Sequence, residues 1–426
     1  MEIEYVFFLI GVITIIGYLA SNIFERTRIP DIPILILLGI IASSLLGGTT
    51  EGLQFIAPYL ASIAIAVILF NGGMYLKIRQ VIAETPKGFL VTATSVLLTI
   101  IVTSAFGLII NNYIFDSAWG IGLDALLPSL FFGAALAGTS SAVIIPLVSR
   151  LKVDKKLETF LTIESAFTDV FVIVIGVTIL NVMVNPGSSD TISITTFLQG
   201  IAGKFSIGIV FGLLGGLIWL YILQSFPKNT GKISSQYDIV HDDVLTLTTC
   251  LMLYGISEIS GGNGALAALC FGLVLGNGKD FGFIPSFQTT PVDAGSLMRK
   301  FQGQISFLLT TFFFVYLGMI FKIGPMILIL GILVTVLLFG SRYLALYTTV
   351  RNNRTYGAEI KFLSLMLPRG LAAAAVTQLP MNYDLNFPYM QDLVVSVIIF
   401  SVLVSAIGSF VHARNNPPEQ PISPKS

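Results

Sequence analysis

The chain has 426 residues, 54% of them apolar and only 11% charged, and its 23 basic and 23 acidic side chains balance to zero formal charge. A mean hydropathy of +0.88 lies far outside the range of water-soluble domains, so most of the surface faces lipid. The zero balance, with no basic patch beyond a bias among the loops, gives no reason to expect nucleic acid as a partner.

A helix that crosses a hydrocarbon core about 30 Å thick needs about 20 residues. About thirteen apolar stretches of that order follow one another. They cover residues 5–23, 32–47, 54–76, 88–110, 126–149, 157–184 and 197–223, then 244–257, 264–276, 301–321, 325–350, 360–379 and 389–411. The expected fold is therefore an all-α membrane protein with about 13 transmembrane helices. Loops after odd-numbered stretches, with the C-terminal tail, hold 19 of the 23 lysines and arginines. Cytoplasmic loops retain positive charge, which predicts a multi-pass cell-membrane protein with its N-terminus outside and its C-terminus cytoplasmic. Glu2 and Glu4, rather than a basic segment, precede the first stretch, so no cleaved signal peptide is expected. The loops are too short for a soluble domain, and residues 415–426 read as a disordered proline-rich tail. Cys250 and Cys270 fall in or beside apolar stretches, as small hydrophobes.

The fifth and twelfth stretches carry helix breakers at membrane depth: Gly138-Thr139-Ser140-Ser141 followed by Pro146, and Pro368-Arg369-Gly370 before an alanine run. They are seven stretches apart, an odd separation, so they run in opposite orientations, as equivalent elements of inverted repeats do. Backbone groups freed by such breaks need a protein-lined cavity. Two crossed broken helices at a transport site are expected.

Charges inside spans are costly, and each needs a partner or a task. The sixth stretch carries Glu164 and Asp169. At about 1.5 Å per residue from Leu157, Asp169 lies about 18 Å in, near the midplane. Ser165 shares its face, whereas Glu164 is turned about 140° away. Arg369 lies at comparable depth, and Glu164 is its expected partner in a structural ion pair. Arg342 is read as structural, either as an alternative partner of Glu164 or as a cap on broken backbone carbonyls. Asp169 then sits among hydroxyls of Thr139, Ser140, Ser165 and Thr168, a hard site suited to a dehydrated monovalent cation or to a proton. Glu258, beside Gly261 to Gly264, reads as a solvated interfacial carboxylate; Lys204 reads as snorkelling to the interface. His241, Asp242 and Asp243 read as a helix start, and Phe312 to Phe314 as packing bulk. No catalytic motif and no cofactor motif appears, so no enzyme activity and no cofactor are expected.

Seven motifs in order carry a family resemblance: Ile29-Pro30-Asp31-Ile32-Pro33, Leu69-Phe70-Asn71-Gly72-Gly73, Thr139-Ser140-Ser141, Glu164-Ser165 with Asp169, Gly262-Asn263-Gly264-Ala265-Leu266, Phe313-Phe314-Val315-Tyr316-Leu317-Gly318, and Pro368-Arg369-Gly370. In these the chain resembles the monovalent cation/proton antiporter superfamily, the sodium/hydrogen exchanger domain, over nearly its whole length. The resemblance implies a homodimer that exchanges a monovalent cation for protons by alternating access, with Asp169 binding either one. It implies an interface domain from residues 1–87 and 244–322, a moving core from 88–184 and 323–411, a linker over 185–243, and a tail over 412–426. Thr168 stands where many relatives have Asn or Asp, and Ser140 where sodium-type relatives have Asp, which leaves sodium and potassium both open. A sodium-coupled symporter of a small organic anion is the alternative that also uses crossed broken helices. It calls for a larger polar pocket than one carboxylate and small hydroxyls.

Overall fold

The computed structural model describes residues 11–19, 22, 32–45, 51–151, 153–184, 194–225, 235–278, 296–322 and 324–415. The tail expected to be disordered, the first half of the Ile29 to Pro33 motif and the side chain of His241 lie outside the described residues. The fold is an all-α multi-span membrane fold. The helices are α1 (residues 11–19), α2 (Ile32–Leu45), α3 (Glu51–Tyr75), α4 (Ile78–Tyr113), α5 (Leu126–Ala135), α6 (Ser141–Leu151), α7 (Lys155–Val184) and α8 (Ile194–Ser225). They continue as α9 (Ser235–Ile259), α10 (Gly264–Gly276), α11 (Ser296–Ile320), α12 (Pro325–Val350), α13 (Arg354–Ala358), α14 (Ile360–Leu365), α15 (Leu371–Gln378) and α16 (Met390–Asn415). Six of the described helices are long and apolar enough to cross a membrane by length and composition.

Two packed groups emerge from the contacts. In one, α10 lies against α3, α8 and α9, and α11 against α2 and α3; in the other, α4 packs on α5, α7 and α12, while α16 packs on α12, α14 and α15. Helix α10 is only 13 residues long, about 20 Å, too short to cross the hydrocarbon core by itself. It is apolar around its whole circumference and buried from Gly264 to Leu275, as such a helix must be. Its start explains one sequence motif: Asn263 Oδ1 accepts the Leu266 N–H at 2.8 Å, and Glu258 Oε1 accepts the Gly264 N–H at 2.7 Å. Glu258 is exposed, as expected, and also serves the positive end of a helix.

Close backbone approach accounts for two more motifs. A Cβ on Gly272 would stand 2.1 Å from the Phe70 carbonyl oxygen, and one on Gly39 would stand 2.0 Å from that of Val315. Lipid offers no hydrophobic drive for association between helices, and small residues at the contact let dispersion forces provide it. Leu69 to Gly73 and Phe313 to Gly318 therefore form helix seams.

Helix α4 starts ten residues before the predicted stretch and runs 36 residues through Pro86, about 54 Å. The division expected at residue 87 thus falls inside a continuous helix. Asn277 fastens the bend before it, accepting the Ile78 N–H at 3.1 Å and donating to the Leu76 carbonyl at 2.7 Å. Nearby, Glu84 is buried, accepts from the Tyr356 hydroxyl and lies 3.5 Å from Lys87 Nζ.

Candidate functional site

Both predicted breaks are present. Helix α5 stops at Ala135 and α6 begins at Ser141; α14 stops at Leu365 and α15 begins at Leu371. The two unwound segments touch, because the Ser140 N–H donates to the Pro368 carbonyl at 2.7 Å. Gly370 permits the crossing: a Cβ there would lie 2.3 Å from Ser140 Oγ. Each segment is fastened by hydroxyls. Ser401 Oγ accepts the Arg369 N–H at 2.9 Å and Ser405 Oγ accepts that of Leu367 at 3.2 Å, tying the second break to α16.

Thr168 fastens the first. Its Oγ1 accepts the Thr139 N–H at 3.0 Å and donates toward the Thr139 and Ser165 carbonyls at 3.1 and 2.8 Å, with Thr139 Oγ1 at 3.2 Å. A helix interrupted in lipid must satisfy its freed amides within the protein, and a threonine on the neighbouring helix does so here.

Asp169 is 4% exposed. Its Oδ2 accepts the Ser141 hydroxyl at 2.5 Å. Ser141 opens α6, whose first intrahelical bonds run from the Val143 and Ile144 amides to the Ser140 carbonyl. The carboxylate therefore meets the positive end of a helix dipole, where negative charge is favoured.

The predicted site residues are gathered in one region. Ser165 shares the Asp169 face, but its hydroxyl donates back to the Thr162 carbonyl at 3.0 Å, a local bond a buried helical serine finds readily. Ser140 contributes its backbone N–H to the crossing. Thr139 and Thr168 face each other. Ser141, the direct partner of Asp169, was absent from the expected set; its place directly after Ser140 at the break was the available signal.

The expected ion pair of Glu164 with Arg369 is corrected. Glu164 is fully buried and receives two parallel bonds from Arg342, Nη1 to Oε1 at 2.7 Å and Nη2 to Oε2 at 2.8 Å. Arg342 Nε also donates to the Leu363 carbonyl at 2.9 Å. It thus fills both roles read for it, carboxylate partner and cap on the broken helix. The physical reason is shape: a guanidinium fork on α12 matches both carboxylate oxygens at once. Arg369, 1% exposed, has Nε and Nη2 without hydrogen-bond partners among the described residues. On α3, Asn71 Oδ1 is likewise buried and unpartnered, one residue from Gly72, which abuts Ile145 of α6.

The family described as "Sodium/hydrogen exchanger, transmembrane" matches residues 11–412. The K(+)/H(+) antiporter NhaP2 of Shewanella oneidensis is 28% identical over 275 residues, 64% of this chain and 44% of that protein. The chain thus matches less than half the length of that relative. The Na(+)/H(+) antiporter 1 of Methanocaldococcus jannaschii is 27% identical over 389 residues, 88% of this chain and 83% of that protein. Two structures of the sodium proton antiporter MjNhaP1 from the same organism share the fold. One, at pH 8, has a TM-score of 0.67 at 22% identity and covers 97% of each chain; the other has a TM-score of 0.70 at 23% identity and covers 99% of this chain and 100% of that one.

Proposed function

The chain belongs to the sodium/hydrogen exchanger transmembrane family, and from that premise we propose that it is a secondary active antiporter exchanging sodium or potassium for protons at Asp169. The observation that carries this reading is the buried Asp169 carboxylate at the crossing of two broken helices, held by Ser141 at a helix N-terminus and without a basic partner among the described residues. Such a group takes either a proton or a hard monovalent cation, and neither stays while the other binds. Thr139, Ser140, Ser165 and Thr168 shape its surroundings, and the hydroxyl oxygens suit an alkali ion. Glu164 is kept out of the exchange by Arg342. Relatives named for potassium and for sodium agree with a site that does not commit to one of them on charge alone.

The mechanism is alternating access in a homodimer with about thirteen spans built as inverted repeats, N-terminus outside and C-terminus cytoplasmic. The helices around α2, α3, α10 and α11 act as the interface domain, α4 to α7 with α12 to α16 as the moving core, and α8 as the link. The two packed groups of helices and the lysine and arginine bias support this arrangement.

The test is to reconstitute the protein in vesicles with a preset pH gradient and add lithium, sodium or potassium. At least one ion should dissipate the gradient, and Asp169→Asn should leave it intact. A folded protein inert toward all three ions overturns the reading; sodium-driven uptake of an organic anion without proton movement establishes the symporter instead.

A further inference from the structure

Arg369 poses a problem of charge that the exchange reaction leaves unsolved. Its guanidinium is 1% exposed, and its Nε and Nη2 find no acceptor among the described residues. A buried guanidinium is costly unless something negative faces it. The two nearby carboxylates are already engaged: Glu164 gives both oxygens to Arg342, and Asp169 receives Ser141 at the other break. Glu164 and Arg342 are committed to each other through two parallel bonds, so among the described residues neither cancels the positive charge of Arg369.

The backbone beside it adds to that charge. Helix α15 begins two residues later, at Leu371, and the Ala374 amide makes the first turn's bond to the Gly370 carbonyl. The amides of residues 371–373 precede that bond, so the positive end of the helix begins two residues along the backbone from Arg369.

We propose that Arg369, with the start of α15, forms a binding site for a small monoatomic inorganic anion, chloride in the first instance, inside the core of the protein. Size argues for a halide over phosphate or sulfate, since the unwound segments meet so closely that Gly370 has no room for a Cβ beside Ser140. Charge argues for a link to transport. Among the described charged side chains buried near the two breaks, Glu164 and Asp169 offset Arg342 and Arg369 while Asp169 is ionised and empty; once Asp169 holds a proton or a cation, one positive charge is left over. An anion at Arg369 restores the balance in the loaded state, so anion and cation strengthen each other's binding. This coupling, though not the anion site itself, rests on the exchange reading above.

The experiment uses the full chain. Crystals grown in bromide should show anomalous density against Arg369 Nε and Nη2; absence of a peak there, or a water in its place, overturns the proposal. In vesicles, at a pH alkaline enough that protons no longer compete for Asp169, replacing chloride by gluconate should weaken the apparent affinity for the cation by about fivefold or more, and Arg369→Gln should abolish the difference. Equal affinity in both anions overturns the coupling. Should Arg369→Gln fail to fold, thermal unfolding of the unaltered protein decides: chloride should raise the midpoint over gluconate with saturation, and no shift counts against the site. Bromide bound in a protein that exchanges nothing would leave the anion site standing and remove the antiporter reading.

Discussion

The hydroxyl of Ser141 and the carboxylate of Asp169 meet at 2.5 Å across the gap between α6 and α7. One partner opens a helix after a break and the other lies within an unbroken one. Ser141→Ala removes a hydrogen bond to a charged group, a loss of about 1.5–3 kcal/mol. The apparent cation affinity should fall by at least about tenfold, while Asp169→Asn, which keeps the shape, should abolish exchange in a folded protein. Retained exchange in Asp169→Asn would move the mechanism elsewhere.

Competition at one carboxylate fixes the response to pH. Protons displace the cation, so apparent cation affinity should weaken as pH falls, by about tenfold per unit once protonation dominates. Above that range it should level off. Initial exchange rates against cation concentration at several pH values check this; an affinity flat across the acid range would show that proton and cation use separate groups.

Electroneutrality is the third expectation, because among the described residues Asp169 is the carboxylate at the crossing without a basic partner. One proton for one monovalent cation moves no net charge. Exchange in vesicles should therefore be indifferent to a potassium-diffusion potential when sodium or lithium is the substrate. A clear response to voltage would reveal a second proton carrier.

Thr168 separates a positioning role from a ligand role. Bound to the Thr139 amide and to two carbonyls, it should act on the shape of the break. Thr168→Val should lower the maximal rate and the thermal midpoint together, and Thr168→Ser should restore both. A change confined to cation affinity would make it a ligand.

Arg342 should carry the stability that the sequence assigned to Arg369. Removing one member of a buried pair costs about 3–5 kcal/mol, so Arg342→Ala should sharply reduce the yield of folded protein in detergent. Replacing Glu164 by Gln at the same time should recover part of the loss. A normal yield of Arg342→Ala would mean that the pair is dispensable.

Much of this was legible in the sequence because hydropathy, loop charge and helix breakers are local signals. The two breaks and their contact followed from the order of residues. The partners of charges did not. Arg342 and Arg369 both lie at plausible depth, and only the packing of α12 on α4, with Glu164 of α7 beside it, decides which fork reaches the carboxylate. Helical spacing put Ser165 on the Asp169 face, but its hydroxyl could bond within its own helix, and Ser141 came from the other side. The length of α4 was missed because its first turns are polar, and hydropathy registers only what lies in lipid.

The union of Glu164 with Arg342 also sets an order of events during biosynthesis. The two residues are 178 positions apart, so at about 5–20 residues per second the ribosome needs about 9–36 s to deliver the arginine after the glutamate. Throughout that interval α7 holds a carboxyl at membrane depth with no basic partner, where a charge is expensive. The first half of the chain must wait near the translocon, or be shielded by the insertion machinery, until α12 arrives. Chains cut short before α12 should be recognised as unfinished and degraded, however well their early helices have inserted.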